Sequence, residues 1–324
     1  MVKMGILGAG KIAGVMAATL REMDSVECYA VASRDYDKAN AFVKQYGFAK
    51  AYGSYEEMVK DSEVELVYVA TPHSHHYDHI KLCLEHGKHV LCEKAFTLNA
   101  KQAEEVFAMA REKGLLLTEA IWTRYIPMRK RLDDVLANGV IGKPYMLTAN
   151  LAYVVGDKER IVKAELGGGA LLDLGVYTLN FASMVFGDDI EKITGSAVLN
   201  EDGVDLQHSI TLTYKDGKMA ALNSSALGLS DRRGVIYGDK GFIEVMNINN
   251  CEGIKVYDLE RNLVSAYDRP EQISGYEYEV EASVYAIQRG ETQCPQMPHE
   301  ESLRMLRWMD ELRSQWGVTF PGEA

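Results

Sequence analysis

The first residues able to do chemistry stand near the start of the chain. Gly8-Ala9-Gly10-Lys11-Ile12-Ala13 is a G-x-G-x-x-A turn placed directly after the apolar run Ile6-Leu7. Gly8 permits a tight turn, Gly10 lets a pyrophosphate approach the backbone, and small Ala13 allows close helix–strand packing while the helix N-terminus faces the anion. This arrangement points to a dinucleotide, with Gly8, Ala9, Gly10, Lys11 and Ile12 as contacts; a tight turn that binds nothing is the alternative. NAD-preferring sites end the second strand in Asp or Glu, whereas this chain has Ala32-Ser33-Arg34-Asp35. The Arg34 guanidinium and the Ser33 hydroxyl suit a phosphorylated ribose, which favours NADP, with NAD possible. Asp35 reads as the N-cap of the next helix.

Two more groups follow. Lys94 lies at the carboxyl end of a strand, where open α/β sheets bind ligands; a plain surface lysine is the alternative. Asp173 and Tyr177 are spaced i,i+4, which on a helix brings carboxylate and phenol to one face, and the glycines 167–169 before them permit close approach. The alternative for this pair is hydrogen bonding within a domain interface. The histidine-rich run 71–79, Thr71-Pro72-His73-Ser74-His75-His76-Tyr77-Asp78-His79, has metal-like spacings, but no Cys or paired carboxylate completes the set. No metal is expected. Several of these imidazoles are expected to face solvent, and the Thr71-Pro72 turn reads as a cofactor contact.

The elements that must position these groups follow from periodicity. Up to about residue 120, β-branched runs near 2–7, 26–33, 65–70, 88–92 and 115–119 alternate with amphipathic stretches near 11–23, 35–46, 54–60, 74–86 and 99–113, the βαβ pattern of a doubly wound parallel sheet. Asn99 and Gly114 bracket the last helix as N-cap and C-terminal stop. After a helix from Pro127 to Asn138, strand-like runs recur from 144 to 268, with hairpins at Asp216-Gly217 and at 238–241. An open, mostly antiparallel sheet with helices on one face is expected. The domains are therefore 1–120 and 121–324, and the closing helices near 276–289 and 300–315 pack back onto the first domain or the sheet.

Length and composition agree with two globular domains: 324 residues, 47% hydrophobic and 25% charged. A formal net charge of -12 with no cluster of Lys and Arg repels phosphate backbones and anionic lipid, so neither nucleic acid nor membrane is an expected partner. No uninterrupted apolar stretch of membrane-spanning length stands out, and the N-terminus lacks the features of a signal peptide. The five cysteines are odd in number and widely spaced, which fits a reducing, cytoplasmic compartment.

Cys92-Glu93-Lys94-Ala95, taken with Gly8-Ala9-Gly10, Thr71-Pro72, His76 and Gly87-Lys88-His89-Val90, resembles the glucose-fructose oxidoreductase/inositol dehydrogenase (Gfo/Idh/MocA) family over nearly the whole chain. The segments 119–125 and 167–177 look most like its branch of dimeric dihydrodiol dehydrogenases and NADP-dependent xylose dehydrogenases. The resemblance implies a Rossmann domain followed by an α+β domain, with His76, Glu93 and Lys94 among the cofactor contacts and a homodimer formed through the second sheet. It further implies that Asp173 orients substrate hydroxyls and that Tyr177 exchanges the hydroxyl proton. A phenol has an ordinary pKa of about 10, so Tyr177 needs a neighbouring positive charge, which Lys94 is expected to supply. Ala95 stands where the family pattern has Pro, so the loop lacks that φ restraint. Trp122, Arg124 and Tyr125, just after the last parallel strand, are candidates for a wall of the substrate pocket, with core packing as the alternative.

The expected function is hydride transfer between NADP (or NAD) and a small sugar, polyol or trans-dihydrodiol, or the matching carbonyl. The alternatives are a glycosidase or epimerase that recycles its NAD, and a nucleotide-binding sensor without catalysis.

Overall fold

The computed structural model describes residues 1–323. In chain order its first part runs β1 (Val2–Leu7), α1 (Lys11–Leu20), β2 (Val26–Ala32), α2 (Tyr36–Tyr46), β3 (Lys50–Tyr52), α3 (Tyr55–Lys60), β4 (Leu66–Val69), α4 (His73–Glu85), β5 (His89–Glu93), α5 (Ala100–Lys113) and β6 (Leu117–Ala120). Then come α6 (Pro127–Ala137), β7 (Pro144–Ala152), α7 (Glu159–Val162), α8 (Val176–Phe186), β8 (Ile190–Leu199), β9 (Asp205–Tyr214), β10 (Met219–Ser225), β11 (Gly234–Gly238), β12 (Phe242–Met246), β13 (Gly253–Tyr257), β14 (Leu263–Asp268), α9 (Glu277–Gln288) and α10 (His299–Trp316). The chain divides into two compact units, Met1–Tyr125 with Gln272–Arg304, and Ile126–Glu271 with the residues from Met305 on.

In the first unit six parallel strands are ordered β3-β2-β1-β4-β5-β6, the doubly wound arrangement. Its central strands are buried on both faces, as a parallel sheet covered by helices requires. The core gathers Met4, Ile6, Met16, Leu20, Val31, Leu66 and Tyr68, and Val280 and Val284 of α9 join it. The short edge strand β3 has no counterpart in the sequence reading, because three residues are too few to show a period.

In the second unit eight strands run β14-β13-β12-β11-β7-β10-β9-β8. All neighbours are antiparallel except β7 and β10. Alternation does the rest: Leu147, Ala149, Leu151, Ala220, Leu222, Ile210 and Leu212 are buried, and α8 lies against β7 and β10. The helical run 164–186 is long and apolar enough to cross a membrane by length and composition, contrary to the sequence reading. Of its most apolar 18-residue window, 89% is buried inside the protein, as in a core helix.

Local signals fix the helix ends. Asp35 accepts the Lys38 N–H at 3.2 Å, and Asn99 accepts the Gln102 N–H at 2.9 Å. Gln102 in turn accepts the Leu98 N–H at 3.2 Å, and α5 stops on Gly114 in the left-handed region. Asn99→Ala should therefore cost about 1 kcal/mol of stability, read as a lower denaturation midpoint with an unchanged denaturant slope.

Candidate active site

β1 ends at Leu7, and the backbone turns at Gly8 with φ +104°. Its N–H meets Ala32 O at 3.0 Å, and a Cβ there would sit 3.0 Å from Ala70 O. Only glycine fits this turn. Gly10 is the N-cap of α1 and offers no side-chain cap, and no acidic residue stands in the first turn. A Cβ at Gly10 would enter open space. The first N–H groups of α1 are thus left to an anion that can approach the backbone, while Ala13 is fully buried against the sheet. These residues fit a dinucleotide pyrophosphate.

Beyond β2, Ser33 is buried and its hydroxyl accepts the Asp35 N–H at 3.3 Å, while Arg34 is exposed. Thr71 Oγ1 lies 2.9 Å from His79 Nδ1. The glycine turn, Ser33-Arg34 and Thr71-Pro72 therefore all follow carboxyl ends of adjacent parallel strands.

The histidine run behaves differently from its expectation. His73 and His76 are buried. His73 Nε2 lies 3.2 Å from Lys94 O, while His76 Nδ1 lies 2.9 Å from Ala95 O and its Nε2 2.8 Å from Thr71 O. Burial holds His76 below the ordinary histidine range despite these carbonyls. His76, a cofactor contact by expectation, lies between the loops that follow β4 and β5. The Lys94–Ala95 peptide bond is cis, and the carbonyls of this segment are the groups that the two histidines hold. Among the described residues, no group of three or more His, Cys, Asp or Glu is placed to hold a metal ion.

Lys94 is half-buried. Behind it lies a network that the sequence reading passed over. Glu119, in β6, is buried, accepts a 2.7 Å hydrogen bond from the Ser302 hydroxyl and is bonded by the Phe96 N–H. Burial pushes its carboxyl up to about 7, against the pull of Ser302, Arg124, Phe96 and Lys94. Glu93 is buried and accepts a hydrogen bond from the Tyr68 hydroxyl. Glu279 of α9 is fully buried, neither of its oxygens has a hydrogen-bond partner, and burial and Glu93 push it well above the carboxylate range.

The expected pocket wall separates into different roles. The Tyr125 hydroxyl meets Thr118 Oγ1 at 2.8 Å and Glu119 O at 2.9 Å, and the residue is buried. Arg124 is ion-paired to Glu301 at 2.7 Å. Trp122 stacks on Tyr276 with centroids 4.3 Å apart, and its buried Nε1–H has no partner.

In the second unit, the backbone crosses Gly168 and Gly169 so closely that a Cβ at Gly168 would sit 2.6 Å from Ile161 O. A π-helical turn, Leu171–Gly175, then leads into α8. Such a turn keeps i and i+4 on one side, and it carries Asp173 four residues before Tyr177. Both are buried. Arg160, half exposed, pairs with the Asp173 carboxylate at 2.8 Å.

Residues 2–121 match the model of an oxidoreductase family with an NAD-binding Rossmann fold, GFO_IDH_MocA, and residues 130–244 match a GFO/IDH/MocA C-terminal domain. The chain is 35% identical over 327 residues to the trans-1,2-dihydrobenzene-1,2-diol dehydrogenase of Xenopus tropicalis, covering 98% of this chain and 99% of that protein. The human protein of the same name is 34% identical over 328 residues, with 99% and 98% covered. Among solved structures, a 3-ketoreductase from Actinomadura kijaniata in complex with NADP and TDP-benzene superposes with a TM-score of 0.87 at 27% identity, covering 97% of each chain. An aldose-aldose oxidoreductase from Caulobacter crescentus complexed with glycerol shares the fold, with a TM-score of 0.87 at 20% identity over 98% of this chain and 97% of that one.

The Glu119 network carries its own pH dependence. A carboxyl raised from 4.5 to about 7 costs stability as pH rises through that window, and the cost is complete above it. Glu119→Gln should therefore melt higher than the parent near pH 8, and the difference should shrink towards pH 4.5; a difference that grows on acidification would contradict this origin.

Proposed function

Because the chain belongs to the Gfo/Idh/MocA oxidoreductase family, we propose that it is an NADP-preferring dehydrogenase or reductase acting on a small vicinal diol: a trans-dihydrodiol, sugar or polyol, or the matching carbonyl. The observation that carries the reading is the meeting of the uncapped glycine turn after β1 and half-buried Lys94 after β5 at the carboxyl edge of one parallel sheet. Full-length likeness to the dihydrodiol dehydrogenases supports the substrate class.

The nicotinamide cofactor, when bound, accepts or returns the hydride. The remaining work falls to side chains. Tyr177 takes the hydroxyl proton during oxidation and gives it back in reduction, and Lys94 is a cationic side chain at the carboxyl edge of the parallel sheet. Asp173, ion-paired to Arg160, accepts a hydrogen bond from the neighbouring hydroxyl. Trp122, stacked on Tyr276, offers an apolar plane to a ring. Gly8, Ala9, Gly10, Lys11 and Ile12 hold the pyrophosphate, and Ser33, Arg34, Thr71 and Pro72 hold the adenosine end.

The open face of the second sheet supports a homodimer. Thr148, Ala221, Thr211 and Thr194 form one row across β7, β10, β9 and β8, and Asn150, Asn223, Ser209 and Ser196 form the next. These side chains are short and uncharged, and none of them is buried. A second copy of the sheet would cover them without burying an unpaired charge. We place the enzyme in the cytoplasm, in keeping with its five free thiols. Ala221→Arg should halve the mass seen by sedimentation while leaving the melting of each unit recognisable.

The decisive experiment follows nicotinamide absorbance with a panel of dihydrodiols, pentoses and inositols. Tyr177→Phe and Lys94→Ala should each lower kcat by roughly 10²- to 10⁴-fold with little change in NADPH affinity. Substrate turnover without net nicotinamide change, or unchanged kcat in Tyr177→Phe, would overturn the reading.

A further inference from the structure

His75 is left over when the other histidines have been assigned. His73 and His76 hold the Lys94–Phe96 carbonyls, and His79 is bonded to Thr71 and lies edge-on to Tyr55 at 4.7 Å. His75 sits one turn before His79, with ring centroids 5.7 Å apart. It is half-buried, its Nδ1 lies 2.9 Å from the Ser74 hydroxyl, and among the described residues no side chain meets its Nε2.

Arg34 approaches from the loop after β2 and hydrogen-bonds the Tyr55 hydroxyl of α3. Burial first and the Arg34 charge second hold His75 below the ordinary histidine range, and Asp78 on its own helix pulls the other way. Burial, His75, His76 and Arg34 together bring His79 down to about 4. The groups around the imidazole are thus Arg34 from one element, Tyr55 from a second, and His76, His79 and Asp78 from its own helix. Two potential cations, Arg34 after β2 and His75 in the first turn of α4 after β4, are thus linked through Tyr55 and His79. An anion with two charges relieves their repulsion and is held by both.

We propose that His75 joins Arg34 in holding the ribose phosphate that distinguishes NADP from NAD, and that it does so as the imidazolium, taking up a proton when the cofactor binds. The inference rests on the NADP reading above. In the free protein His75 is neutral at and above neutrality. Phosphate favours its charged form, so NADP(H) is held more tightly as pH falls through the histidine range, while NAD(H), which lacks the phosphate, is indifferent. The phosphate's own ionisation near pH 6 works in the opposite direction, so the comparison that isolates His75 is parent against variant.

The test titrates NADPH and NADH into the full chain at about pH 6.5 and about pH 8.5, by fluorescence and by calorimetry in two buffers of different ionisation enthalpy. For the parent, the preference for NADPH should be about tenfold larger at the lower pH, a gain within reach of one charge-assisted hydrogen bond. His75→Asn should lose that gain and take up fewer protons with NADPH, while its NADH affinity stays that of the parent and shows the dinucleotide site to be intact. Arg34→Gln should lose preference at both pH values. If His75→Asn keeps the pH dependence and the proton uptake of the parent, the role of His75 is overturned with the NADP reading intact. If the parent binds NADH as tightly as NADPH at both pH values, the NADP reading itself fails.

Discussion

His76 is a fully buried imidazole between two loops, and the chemistry of the first unit depends on what it holds. Its Nε2 faces Thr71 O after β4 and its Nδ1 faces Ala95 O after β5. Buried carbonyls need partners, and leaving one unmet costs on the order of 1–3 kcal/mol. A neutral imidazole donates through one ring nitrogen only, so His76 hydrogen-bonds one of these carbonyls and packs against the other, between the turn after β4 and the segment bearing Lys94. His73, one turn earlier, adds the Lys94 carbonyl. Lys94 gains a defined place although Ala95 stands where a proline would restrain the chain.

The surroundings of Lys94 are tuned by carboxyl groups that burial works against. Glu119 sits at about 7 because desolvation outweighs a serine, an arginine, a backbone amide and the lysine. Glu93 is answered by the Tyr68 hydroxyl, and Glu279, without hydrogen-bond partners, is driven towards its neutral acid. Less negative charge thus surrounds Lys94 than a count of acidic residues suggests.

The second unit uses its sheet in two ways. One face carries Leu, Ile and Ala against α8, the helix that follows the π-helical turn bearing Asp173. Gly168 and Gly169 let that segment pass close to Ile161 and Asp205, where a side chain would collide. Asp173 and Tyr177 are therefore set by backbone packing as much as by helix spacing. The other face carries short uncharged side chains from β7 to β8, and the same row continues through Val235 to the charged Glu244 and Lys255.

The sequence by itself determined what depends on neighbours in the chain. The G-x-G-x-x-A turn needs a left-handed glycine and an uncapped helix start, Asp35 and Asn99 cap because their side chains reach two or three residues ahead, and the turn at Asp216-Gly217 needs positive φ at Gly217. Strand and helix periods made the parallel and antiparallel halves legible for the same reason. Only the tertiary structure decided the fate of groups whose partners are remote. Glu119 reads as one polar residue in a short strand until Ser302 arrives from 183 residues away. The histidine run reads as a solvated helix start until the loop after β5 covers it, and no local pattern shows that the Tyr125 hydroxyl meets Thr118 and Glu119. Burial is what changes a side chain's chemistry here, and burial belongs to the packed fold, because the atoms that exclude water come from elements that no local pattern joins.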